Sequence, residues 1–141
     1  MNTNAIRAAY VDFFANKDHE PMPSASLIPI DPALLLNVAG MVPFKSWLLG
    51  EEPAPFPRVA TSQKCLRTAD IDILGTTARH LSFFEMLGNF SFGDYFKEKA
   101  IPYAWELSTE VFDLDPDRLW VTVHETDDEA AAIWLDVVGV A

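Results

Sequence analysis

Ile6, Ala9, Tyr10, Phe13 and Phe14 recur at helical spacing, with Asn2 or Thr3 available as a cap, and predict an amphipathic first helix. The helix stops over residues 16–20, because Pro21-Met22-Pro23-Ser24 cannot continue it. The chain then turns extended toward Leu27-Ile28-Pro29. Asp31-Pro32 marks a turn, and the apolar run Leu34-Leu35-Leu36, short enough for a buried strand, is punctuated by Gly40. Residues 50–57 form a surface loop in which Pro53, Pro55 and Pro57 have no N–H for a ladder.

Beyond that loop, residues 58–67 and 80–89 read as two extended segments joined by a polar connection, Thr68 to Arg79, that contains Gly75. Antiparallel pairing is the economical arrangement. A helix is expected over residues 96–112, with Pro102 tolerated only in about its first turn, and Asp115-Pro116 follows its end. Leu119-Trp120-Val121-Thr122-Val123 reads as a strand. Thr126-Asp127-Asp128-Glu129 has the form of a capping box, opening a helix through Ile133, Trp134 and Val137 that ends at Gly139. This order predicts an α+β domain on an antiparallel or mixed sheet, with no internal repeat and no linker.

Half of the 141 residues are hydrophobic, enough to fill the core of one domain. The longest apolar runs are too short for a bilayer, and Met1 is followed by polar Asn2, Thr3 and Asn4, so a soluble, cytoplasmic protein without a membrane partner is expected. Cys65 is the single cysteine, and His19, His80 and His124 make no zinc spacing with it, so no structural metal is expected in the chain. His19 and His124 read as ordinary surface or partly buried histidines.

The net charge of −11 opposes binding to a long phosphate backbone. Its distribution changes the picture. Arg58, Lys64, Arg67 and Arg79 face only Asp70 and Asp72 within residues 58–80, whereas residues 104–141 carry ten acids against Arg118. A basic segment in an acidic chain suits a small anion such as a nucleotide, although chance scatter gives the same counts. Neither GxGxxG nor GxxxxGK[ST] is present, so any nucleotide must be held by side chains on strands.

The stretch Thr61-Ser62-Gln63-Lys64-Cys65-Leu66-Arg67, then Thr77-Ala78-Arg79-His80, then Phe83 through Phe96 (FFEMLGNFSFGDYF) closely resembles the motif 2 region of alanyl-tRNA synthetases. Asp31-Pro32 followed by Ala39-Gly40-Met41-Val42-Pro43-Phe44-Lys45 resembles the same family, and the likeness runs from the first helix to the one containing Trp134. The resemblance implies a class II aminoacyl-tRNA synthetase-like antiparallel sheet flanked by helices. It implies ATP-dependent activation of L-alanine to alanyl-adenylate and transfer to tRNA(Ala), with ATP and Mg2+ required.

Residue by residue, Arg67 matches the motif 2 arginine that contacts the α-phosphate and the amino-acid carboxylate; the bland alternative is a surface arginine or an ion pair to Asp70 or Asp72. Phe84 matches the phenylalanine that stacks on adenine, with Met86 offering backbone groups to the base edge. Arg79 and His80 fall near the β- and γ-phosphates, and for His80 a plain hydrogen-bonding role stands beside this one. Glu85 ends the motif, as a magnesium ligand or the partner of an arginine. Lys64 suits solvent or the tRNA end better than catalysis. Motif 1, which builds the dimer interface in class II enzymes, falls on the first helix and Leu27-Ile28-Pro29; oligomeric state stays open.

The chain departs from the family in two ways. The loop between Arg67 and Arg79 is short, and Thr68 to Thr76 lacks a lysine for the phosphates or the acceptor end. Residues 1–141 read as the N-terminal part of the catalytic domain. Motif 3, the tRNA-binding helices, the zinc-bearing editing domain and the C-terminal domain are absent from it. The isolated chain is then expected to bind ATP weakly and to charge no tRNA. The alternative is a short synthetase-like binding module without catalysis.

Overall fold

The computed structural model describes residues 1–69, 71–78 and 80–140. The chain divides into two compact units, Met1–Phe13 with Gly93–Ala141, and Phe14–Phe92. No described helix is long and apolar enough to cross a membrane.

In the second unit, β1 (Glu20–Met22) pairs parallel with β2 (Arg58–Leu66), and β2 pairs antiparallel with β3 (Phe83–Ser91). The expected pairing of the two long segments is present, with the second strand displaced from residues 80–89 to Phe83–Ser91. Val59, Thr61, Gln63 and Cys65 are all buried, so one face of β2 is covered along its length, whereas the other is fully buried only at Ala60 and exposed at Lys64. Phe44 packs against Phe90 with ring centroids 4.9 Å apart, and Trp47 meets Phe92 at 5.6 Å. A Cβ on Gly88 would lie 2.7 Å from Cε2 of Phe90. Gly88→Ala is therefore expected to push that ring off Phe44 and destabilise by about 1–3 kcal/mol; urea unfolding should show a lower midpoint with unchanged slope.

Helix α1 (Thr3–Ala15) begins as its pattern predicts, and Asn2 is the cap, its Oδ1 accepting from the Ala5 N–H at 2.9 Å. After the helix, His19 is buried and closes its last turn. Its Nδ1 lies 3.1 Å from the Phe14 carbonyl and 3.0 Å from that of Lys17, so this nitrogen carries the proton. The expectation of a merely surface or partly buried histidine underrated it.

Leu34-Leu35-Leu36 is not a strand. Asp31 turns the chain by accepting the Ala33 N–H at 2.9 Å, and Leu35 is left 90% exposed while the polar Asn37 is buried. Three adjacent leucines give no alternation, and here local turn chemistry outweighs hydrophobicity.

The first unit buries Tyr10, Phe13, Tyr95, Leu107 and Ala130, with Tyr103 edge-on to both Phe13 and Tyr95. Burial, then the neighbouring Tyr95, pushes the Tyr10 phenol upward. Helix α2 (Lys97–Glu106) continues as a π-helical turn to Val111. Pro102 sits sixth in the helix, beyond the first turn where it was expected. Its missing N–H deprives only the Glu98 carbonyl of a partner, and the helix continues through it.

Leu119–Val123 is the second strand that does not form. Among the described residues the segment has no ladder partner, and Trp120 is 94% exposed. In α3 (Asp128–Ala132), which extends as a π-helical turn to Val138 and ends at Gly139 with φ +81°, the cap is Asp127, not Thr126. Asp127 accepts the Ala130 N–H at 3.1 Å and receives Lys97 Nζ at 2.6 Å; Lys97 also meets Glu129 at 3.1 Å. Lys97 and then the Ala130 N–H hold the Asp127 carboxyl below the usual range near 4. The native state binds fewer protons here than the unfolded chain. Its contribution is thus present above about pH 4 and lost as pH falls through the depressed native value. Asp127→Asn is expected to flatten this acid limb, read as a smaller fall of Tm below about pH 4.

Candidate functional site

The pairing of β1 with β2 ends at Met22, and side chains take over along that edge. Ser24 Oγ accepts the Lys64 N–H at 3.0 Å. The Gln63 carboxamide accepts the Ala25 N–H at 2.8 Å and donates to the carbonyls of Ala25 and Lys64 at 3.2 and 2.8 Å. Farther along, the Leu66 N–H donates to the Asn37 carbonyl at 2.9 Å, and Arg67 Nε donates to the Val38 carbonyl at 2.8 Å. Residues 24–38 thus form a strap sewn to the outer edge of β2. Its middle is held as well, since Lys45 Nζ binds Asp31 at 3.0 Å.

Ladder register decides which side chains share a face. Cys65 stands opposite Phe84, Gln63 opposite Met86 and Thr61 opposite Gly88. The Arg67 N–H continues the ladder to the Ser82 carbonyl at 2.8 Å, so Arg67 lies diagonal to Phe84 on that face, within reach of a long side chain. The guanidinium carbon stands 5.3 Å from the centre of the Phe84 ring, at the loose end of a cation–π contact. Arg67 is exposed, Nε is satisfied, and Nη1 and Nη2 have no hydrogen-bond or ion-pair partner among the described residues. Beneath them Cys65 is fully buried; burial pushes its thiol up against the opposing pull of Arg67, so it forms a floor and not a nucleophile.

Of the expected site residues, the structure brings Arg67, Phe84 and Met86 onto one face. The same ladder parity makes Met86 and Gln63 a hydrogen-bonded pair, turning the Met86 N–H and carbonyl toward β2 and not toward a base edge. Its side chain instead takes the Gly40 N–H at 3.1 Å on Sδ. Glu85 alternates to the other face, opposite Lys64, and does not join Arg67. His80 is exposed, with Nδ1 2.5 Å from Thr77 Oγ1, which leaves Nε2 for an outside group. Arg79 and Asp70 lie outside the described residues; Asp72 makes no ion pair with Arg67 among the described ones. The described residues hold no cluster of three or more His, Cys, Asp or Glu able to bind a metal. A cavity of about 320 Å3, lined by Asp18, His19, Glu20, Phe56 and Arg58 among others, contains none of the site residues. Arg58 starts β2, and Arg67 follows its last residue, roughly 30 Å away.

The family model described as "tRNA synthetases class II (A)" matches residues 5–141. This chain belongs to the class II tRNA synthetases. Within that family it is 64% identical over 135 residues to the alanine--tRNA ligase of Synechococcus sp. (strain RCC307), covering 96% of this chain and 15% of that one. It is 59% identical over 140 residues to that of Microcystis aeruginosa (99% and 16%) and 61% identical over 135 residues to that of Synechocystis sp. (96% and 15%). The chain thus spans about 15% of the length of the curated relatives it matches.

Gln63, Asn37 and Val38, which tie the strap to β2 and to Arg67, are not among the residues that the sequence points to. A signal existed for Gln63: strand period places it on the Cys65 face, two positions earlier. For Val38 none existed, since a carbonyl acts there irrespective of its side chain.

Proposed function

We propose that residues 1–141 are the N-terminal part of the catalytic domain of an alanine–tRNA ligase, on the antiparallel class II sheet, and supply the ATP-facing half of its alanyl-adenylate site. The observation that carries this reading is the adjacency of Arg67, whose two terminal nitrogens have no partner among the described residues, and the half-buried Phe84 ring, in a chain 59–64% identical to alanine--tRNA ligases.

The reaction is in-line attack of the alanine carboxylate on the α-phosphorus of ATP, with pyrophosphate leaving. Negative charge builds on the phosphate oxygens, and catalysis is positioning plus neutralisation of that charge. Arg67 serves because a guanidinium grips two oxygens with parallel N–H bonds and stays charged at every working pH. Phe84 offers its ring to adenine, and the loop carrying Arg79 and His80 reaches the β- and γ-phosphates, with Thr77 orienting the imidazole. Mg2+ enters with ATP as part of the substrate. Alanine and tRNA(Ala) are the remaining substrates. Their recognition falls to parts of the relatives' length that this chain does not span.

The test is pyrophosphate exchange into ATP by the full-length protein carrying this chain, with each amino acid in turn. Exchange with alanine well above that with glycine or serine is expected. Exchange with another amino acid only, or with none, sinks the reading.

A further inference from the structure

We propose that Asn37 is a positioning residue for Arg67, acting through the carbonyl of Val38. The inference rests on the reading above that Arg67 holds the α-phosphate.

Asn37 is buried, with bonds in three directions. Its backbone N–H donates to the Leu27 carbonyl at 2.8 Å, its carbonyl accepts the Leu66 N–H at 2.9 Å, and its Nδ2 donates to the Ser26 carbonyl. It is the knot between the strap and the last residue of β2. The next carbonyl along, that of Val38, is the one that Arg67 Nε meets at 2.8 Å.

The Val38 side chain is exposed, so packing of that residue does little to fix its carbonyl. The three bonds of Asn37 do. With Nε–H committed to Val38, the guanidinium can no longer turn freely about its long stem, and its Nη1–Nη2 edge faces away toward a ligand. Such an edge grips two phosphate oxygens at once only while its plane is held.

The residue type fits a positional role. Oδ1 of Asn37 is buried without a hydrogen-bond partner among the described residues, a cost that a leucine or valine filling the same space would not carry. The amide is needed for its donor, because the Ser26 carbonyl would otherwise be the unpaired group. An aspartate would set acceptor against acceptor.

The experiment is a double-mutant cycle in the full-length protein, with kcat and the KM for ATP measured by alanine-dependent pyrophosphate exchange. The proteins are wild type, Asn37→Leu, Arg67→Ala and the double variant. Asn37→Leu is expected to lower kcat by about 10–100-fold, the effect of a small misplacement of a catalytic group, with a smaller change in KM. The double variant should be no slower than Arg67→Ala alone, because without the guanidinium there is nothing left to position. If circular dichroism shows Asn37→Leu to be unfolded, Asn37→Ser goes through the same cycle. Losses that multiply in the double variant, or an unchanged kcat in the single one, overturn the proposal while leaving the reading of Arg67 intact. A wild-type rate in Arg67→Ala overturns that reading and this inference together.

Discussion

Arg67→Ala is expected to lower alanine-dependent pyrophosphate exchange by at least about 10³-fold, nearly all of it in kcat. Removing a single donor to a developing oxyanion costs about 10²–10³, and Arg67 presents two, Nη1 and Nη2, with Nε already committed to Val38. The charge they meet grows toward the transition state, so ATP affinity should change less than the rate. Arg67→Lys should recover little. A lysine keeps the charge but has neither a fork for two oxygens nor a fixed plane with one edge on the Val38 carbonyl. Stability should move by no more than about 0.5 kcal/mol, since the side chain is exposed and the Val38 carbonyl can take water in its place. Equal Tm with lost exchange separates a chemical role from a structural one; exchange at the wild-type rate would refute the assignment.

How far this site could be read from the sequence depends on the kind of interaction that builds it. The hairpin of β2 and β3 was legible because two segments rich in strand formers flank a polar connection, and its register follows from the same period of two that puts Arg67 and Phe84 on one face. Helix α1 was legible from its spacing, and the end of the last helix from Gly139, which adopts the left-handed backbone expected there. Leu34–Leu36 and Leu119–Val123 misled because a strand is a property of two segments, and local composition says nothing of whether a partner lies alongside. Pro102 misled for the opposite reason: the break it threatens is a loss of one bond, which the rest of the helix outweighs. The strap was invisible because its bonds join backbone carbonyls and amides to Gln63, Ser24 and Arg67 over separations of about 30–40 residues, with no periodicity to announce them. The resemblance to alanyl-tRNA synthetases named the chemistry of Arg67 and Phe84. It did not say what holds Arg67 in place, nor that Glu85 and Met86 turn their useful groups away from it.

Phe84→Leu is expected to raise the KM for ATP by about 10–100-fold while leaving kcat at saturating ATP within a few-fold of wild type. Stacking of a base on an aromatic ring contributes about 1–3 kcal/mol, equivalent to about one to two decades in affinity. That term is shared by ground state and transition state, so it belongs in KM. Leucine is the informative replacement because Phe84 has a packing role too. The ring is half-buried opposite the buried Cys65 and lies beneath Arg67, and Phe84→Ala would leave a cavity whose structural cost confuses the result. A leucine keeps most of the volume, at an expected loss of under about 1.5 kcal/mol, but offers no π-face. Phe84→Tyr should bind ATP nearly as wild type does. The neighbouring Phe83, more exposed but on the opposite face with Leu66, is the control: Phe83→Leu should leave the KM for ATP unchanged. If Phe84→Leu binds ATP as tightly as wild type, the ring is only the floor under Arg67, and the adenine must find its platform elsewhere.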